Sequence, residues 1–202
     1  MTLKLRKSTK LSKVKELIHE LEDIGQELGV NILHNYKWRE MIQKDLMHEI
    51  GVKVEDVSGI TGDDFKAKDV NKGDYKSTKV KLRKNGLFTK SGRFEFDKQN
   101  DPIRRQQVLN YDCLFFSWFK GAKAVASVLI KKPKAIKSFR KISNKKLSDF
   151  KKMMKLKEQQ GKRIPRDSIQ FSYDDVIAIT GAQYFAGKKE ITLKEFKELF
   201  GG

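Results

Sequence analysis

Cysteine occurs once in the 202 residues. An internal disulfide is therefore excluded, and a reducing compartment fits. Proline occurs three times, too rarely for long stiff linkers. No hydrophobic run is long. The two longest lie around Cys113–Phe119 and Ala124–Ile130, far short of the ~20 residues that a membrane helix needs. The basic segment Met1–Lys10 is not followed by an apolar stretch, so the reading expects no secretory leader, no membrane partner and a cytoplasmic protein. Acidic residues are outnumbered, 26 Asp and Glu against 44 Lys and Arg, leaving a formal charge of +18. Charge of one sign on that scale repels itself and suits a polyanion, either nucleic acid or, less commonly, an anionic membrane surface.

Large apolar side chains are plentiful. The 13 Phe and 2 Trp are rings that a chain normally carries to bury them, so a packed core is expected. Val14, Leu17, Ile18, Leu21, Ile24 and Leu28 recur at helical spacing over Ser12–Leu28, with Ser12 and Gly29 as caps. This nearly heptad stripe fits either packing on the chain's own core or a seam between two copies. A second helix is read over Asn35–Ile50, with Trp38, Met41, Ile42, Leu46 and Ile50 on one face and Gly51 beyond its end.

The pattern then changes. Val52–Ile60 reads as extended, Gly59–Asp64 as a turn and Asp74–Leu82 as an alternating strand. Asn85-Gly86 signals a hairpin, with Phe88–Phe96 as the returning strand. Asp101–Leu109 suits a short helix. Tyr111–Phe119 and Ala122–Ile130 read as two core strands joined tightly at Lys120-Gly121. Pro133–Ile142 and Asn144–Gln160 read as two surface helices, the second with Leu147, Phe150, Met153, Met154 and Leu156 on its apolar side. In the tail, Ser172–Gly202, two short helices are expected. Thr192 and Glu195 form a capping box before a helix ending at Phe200. This order predicts a mixed α/β (α+β) fold, a central mixed β-sheet flanked by helices. The expected organisation is a single domain, 1–202, with a helical part over 1–50, a sheet core over 51–142 and a basic helical part over 143–202.

The chemistry-bearing segment runs from Gly62 to Lys76. On a strand, Asp74 and Lys76 point to one face. Asp64 lies ten residues earlier, at a turn that can fold back beside them. Two carboxylates and an ammonium would then converge. Phosphodiester hydrolysis uses such a set: carboxylates hold a hard cation such as Mg²⁺, the metal neutralises the scissile phosphate and activates water, and a lysine steadies the charge that develops. The bland alternative is a solvated turn and an exposed strand end. Cys113, within an apolar run, reads as core. His19, His34 and His48 show no metal-ligand spacing with cysteine.

Asp64…Asp74-Tyr75-Lys76 resembles the PD-(D/E)XK nuclease pattern. From about Val14 to Arg140 the order of segments resembles the PvuII-like type II restriction endonucleases. The likeness takes in the leading helices, the spacing of Asp64 to Asp74-X-Lys-Ser, the lysine-rich hairpin, the run ending in Asn100-Asp101-Pro102, and the apolar strands around Lys120-Gly121. The sequence departs from the pattern in having Asp63 rather than proline before Asp64, and Asp rather than Glu at 74. Thr61, where the family often adds a carboxylate, has none; Glu49 is the substitute considered. The resemblance implies that Asp64, Asp74 and the Tyr75 carbonyl bind Mg²⁺, that Lys76 assists the attacking water, and that the products carry 5′-phosphates, with blunt ends at a short palindromic site. It also implies a homodimer acting on double-stranded DNA.

For recognition, the stretch after the hairpin supplies Arg93, Lys98, Gln99, Asn100, Arg104, Arg105 and Gln106, residue types that reach base edges. Phosphate contact or plain solvation is the competing role for each. Residues 131–163 hold 14 Lys/Arg against 2 acids, a density typical of phosphate contacts. Two other functions share these features. A DNA repair nuclease or junction resolvase would keep the same site, and a non-catalytic basic nucleic-acid-binding protein would leave Asp64 and Asp74 apart.

Overall fold

The computed structural model of the chain describes residues 17, 20, 21, 23, 24, 27, 37–56, 64–96, 108–120, 123–161 and 168–202. Two compact units are distinguished, Met1–Ile42 and Gln43–Gly202. In the first, Leu17, Glu20, Leu21, Asp23, Ile24 and Glu27 are helical, in keeping with the helix read over that stretch. The helix α1, Lys37–Glu49, runs across the boundary. It closes on Gly51 at φ 85°, with the Val52 amide donating to the Met47 carbonyl, a left-handed glycine stop. Its buried residues are Arg39, Gln43, Leu46 and Met47. Met41 and Ile42 are only half-buried, so the inward face is turned from the expected apolar stripe toward Gln43.

The second unit is mixed α/β. A seven-stranded sheet runs in the order β1 (Val54–Asp56), β2 (Phe65–Ala67), β3 (Val70–Lys79), β5 (Cys113–Lys120), β6 (Lys123–Lys131), β8 (Gln183–Ala186) and β9 (Lys189–Ile191). All neighbours are antiparallel except β3 and β5. β5 is buried from Cys113 to Phe119, as its largely apolar run requires of a strand covered on both faces. β4 (Phe94–Phe96) does not return along β3. It pairs instead with β7 (Ile169–Phe171) in a separate two-stranded sheet. The Asn85-Gly86 turn is real, with Gly86 at φ 80°, but it closes only one bridge, Leu82 to Phe88.

Two further expectations change. Pro133–Ala135 is a single 3-10 turn, and Lys137–Gln159 is one continuous helix, α2. Ser143, where a break was expected, is wholly buried on its inner face beside Phe139, Leu147 and Phe150, whereas Leu156 is exposed. The tail is not purely helical. Besides α3 (Tyr173–Ile177) and α4 (Leu193–Glu198), it supplies β7 and the β8–β9 hairpin. Both short helices open with a capping box, Ser172 with Asp175 and Thr192 with Glu195.

One face of the sheet carries an aromatic core. Trp118 meets Phe94 edge-on at 4.7 Å between ring centres, and Phe196 and Phe200 at 5.5 and 5.6 Å. The C-terminal helix is thereby tied to the middle of the sheet. Among the described residues, no helix is long and apolar enough to cross a membrane.

Candidate active site

β2 and β3 form a tight hairpin, with Ala67 opposite Val70 and the turn residue Asp69 at φ 67°, a conformation that aspartate tolerates better than most residues. The turn therefore lies at Lys68-Asp69, and the strand opens at Val70 rather than Asp74. Asp64 immediately precedes β2, and its amide donates to the Gly73 carbonyl at 2.8 Å. Gly73 is needed here: a Cβ would lie 2.5 Å from two atoms of the Phe65 ring and closer still to a third. Phe65, fully buried, stacks on Tyr75 at 4.5 Å. These two rings fix the spacing of the strands that carry the acids.

Asp64, Asp74 and Lys76 come together. The Tyr75 amide donates to Asp64 Oδ2 at 2.7 Å. The Lys76 ammonium donates to Asp74 Oδ1 at 2.5 Å and reaches the Tyr75 carbonyl at 3.4 Å. It also lies 4.9 Å above the Phe96 ring centre, a cation–π contact. Asp74 is 1% exposed. Burial pushes its carboxyl well above the usual range; Lys76 pulls it down, while the charge of Asp64 and a hydrogen bond with it push up again. Asp74 Oδ2 is buried and also lies 2.5 Å from the ammonium, an ion pair.

The residues present fit a hard divalent cation. Two carboxylates adjoin: the buried Asp74 is paired with the Lys76 ammonium, and Asp64 accepts the Tyr75 amide. Oxygen ligands of this kind are what Mg²⁺ takes, with waters completing its shell. The Tyr75 carbonyl adds a third oxygen. Among the described residues, no cluster of three or more His, Cys, Asp or Glu is found, and the charged groups acting on Asp74 are Asp64 and Lys76, not Glu49.

Gln43 was not singled out in the sequence. From α1, its buried Nε2 lies 3.2 Å from the Lys76 carbonyl, 3.2 Å from that of Phe115 and 3.1 Å from Ser117 Oγ, which also receives the Ser127 hydroxyl at 3.1 Å. A buried amide so engaged pins β3 and β5 together behind the site. The only sequence signal for it was a polar residue one helical turn before Leu46 and Met47.

Arg93 is exposed just ahead of β4. Lys98, Gln99, Asn100, Arg104, Arg105 and Gln106 lie outside the described residues, as do His19 and His34. His48 accepts the Val54 amide at 3.0 Å, flanking the end of α1. Cys113 is buried and its thiol is pushed up to about 12, chiefly by desolvation, so it is a core residue and no nucleophile. A scan against protein-family models and a search of curated proteins find no match to this chain.

Proposed function

We propose that the chain is a magnesium-dependent endonuclease that cuts double-stranded DNA at specific sites, a type II restriction enzyme of the PD-(D/E)XK kind acting in the cytoplasm as a homodimer. The observation that carries this reading is the meeting of Asp64, Asp74 and Lys76, with the Asp74 carboxylate buried. A bound Mg²⁺ supplies charge neutralisation at the phosphate and an acidified water. The chain's own residues do the rest. Asp64 and Asp74 present oxygens from two fixed strands. Lys76, steadied over Phe96, holds a proton-bearing cation next to them, ready for charge developing on the phosphate. The place of Asp74-Tyr75-Lys76 on a strand of the sheet supports this reading, and the charge of +18 fits a polyanionic substrate.

Plasmid digestion with Mg²⁺ or Mn²⁺ tests it. Discrete fragments are expected from the native chain. Asp74→Ala and Lys76→Ala should each lower cutting by about a hundredfold or more, with DNA binding retained. Cleavage governed by DNA structure instead of sequence would replace this reading with a repair nuclease or resolvase. No cleavage at all would leave a basic binding protein.

A further inference from the structure

A pocket of about 450 Å³ opens at the far end of the hairpin, between the loop after α1, the β2–β3 turn and the end of β6. It is separate from the carboxylate site. Cys113, in its wall, pairs with Gly73, one residue out of step with Asp74, so it faces the opposite side of the sheet. The volume falls within the roughly 300–1,000 Å³ typical of small-molecule sites.

Its lining combines two chemistries. Val52, Ala67, Val70 and Cys113 give apolar surface, and the exposed residues Lys53, Lys68, Lys131 and Lys132 also belong to the lining. Two aspartates also belong to the wall, but Asp112 is already engaged. It accepts the Asn71 and Lys72 amides, each at 3.2 Å, and the Lys134 ammonium at 2.6 Å. Those partners hold its carboxyl below the usual range, against the opposing effect of burial. Only Asp69 then offsets the four lysines.

The backbone carries a second, independent signal. Among the described residues, the two non-glycine residues at positive φ are Asp69 and Lys132, and both line this pocket. Asp69 has an ordinary reason, a two-residue turn. Lys132 stands at the start of the 3-10 turn, its carbonyl accepting the Ala135 amide at 2.9 Å. It stands at φ 50°, ψ 50° directly before Pro133, where extended backbone is the norm. Its amide is fastened to the Asp112 carbonyl at 2.7 Å. Strain held in place by surrounding hydrogen bonds is characteristic of ligand sites.

We propose that this pocket binds an organic phosphate of mononucleotide size, its phosphate held among the lysines and its apolar body on the Val52–Val70 surface. Lysine suits phosphate as a compact point charge. The pocket, about 450 Å³, is larger than an inorganic ion needs. This inference does not depend on the nuclease reading.

The test is a fluorescence titration of the full chain, without divalent cations, using N-methylanthraniloyl-ADP. Saturable binding is expected, displaced by ADP far better than by inorganic phosphate. Lys53→Gln combined with Lys131→Gln should weaken it roughly tenfold or more. Lys151→Gln with Lys155→Gln, which removes the same charge from the exposed face of α2, should not weaken it, and neither should Asp74→Ala. If the first pair fails to fold, Lys68→Gln with Lys132→Gly replaces it, since glycine accepts the positive φ. The proposal is overturned if no saturable binding occurs at millimolar probe or if both lysine pairs weaken it equally. It also fails if Asp74→Ala abolishes binding, or if inorganic phosphate competes as well as ADP.

Discussion

Burial lifts the Asp74 carboxyl well above the ordinary range, and the nearby Asp64 adds to the lift, against the pull of Lys76. The folded chain therefore binds this proton more tightly than the unfolded chain does. Stability contributed here is fully present below the unfolded value, about 3.9. It is lost as pH rises through the raised folded value. A site that costs stability in this way is expected where function requires the charge. Without divalent metal, Asp74→Asn should become increasingly more stable than the native chain as pH rises, read as a higher melting temperature. Mg²⁺ should stabilise the native chain by about 1.4 kcal/mol at ten times Kd, raising its melting temperature, and should barely move the variant. Thermal scans with and without Mg²⁺ check both. A native chain indifferent to Mg²⁺ would count against Asp74 as a ligand. The convergence of Asp64, Asp74 and Lys76 was legible in the sequence because strand alternation is local. The clash that makes Gly73 necessary was not, because it depends on a ring from the neighbouring strand.

At the level of elements, the β2–β3 hairpin is the part that positions the acids, and its tolerance is small. Gly73→Ala drives a methyl group into the buried Phe65 ring. A cost of about 1–3 kcal/mol is expected from such overpacking, read by chemical denaturation. Any cleavage should fall further than the loss of folded protein explains, because Asp64 is hydrogen-bonded to Gly73 and Tyr75. Equal losses would make the hairpin a structural element alone. The elements most legible in sequence were those with strong local signals: the largely apolar runs of β5 and β6, Gly51 after α1, and the Thr192–Glu195 box. The three-residue strands β2 and β9 and the four-residue β8 carry too little pattern of their own. Their identity comes from partners far along the chain, such as Ser127–Leu129 for β8. Likewise, nothing local announces that Ser143 is buried and α2 continuous.

On the scale of the whole molecule, charge and an exposed apolar stripe remain to be used. Leu17, Leu21 and Ile24 are 50%, 41% and 46% exposed, and their spacing places them on one side of a helix. On the proposed nuclease reading, one site would cut one strand, and a duplex cut would call for two sites related by a two-fold axis. Light scattering should give a dimer, and Leu17→Glu with Leu21→Glu should yield a monomer that leaves nicks in place of double-strand breaks. A monomeric native chain, free and on DNA, would sink the dimer.

β3 and β5 run parallel, and parallel neighbours cannot be joined by a short turn. The stretch from Val80 to Asp112 must be synthesised before β3 gains its inner neighbour, whereas β5 and β6 follow one another and pair directly. A chain leaving the ribosome thus presents Asp64, Asp74 and Lys76 early, on a narrow ribbon that is marginal by itself. The working arrangement of these residues is a late event in folding. Pulse-labelled hydrogen exchange should find amides of Phe115–Phe119 protected before those of Tyr75 and Lys76; the reverse order would refute it. A nascent chain stalled before Cys113 would carry every reactive group of the site while lacking the strand and the glutamine anchorage that make them act together.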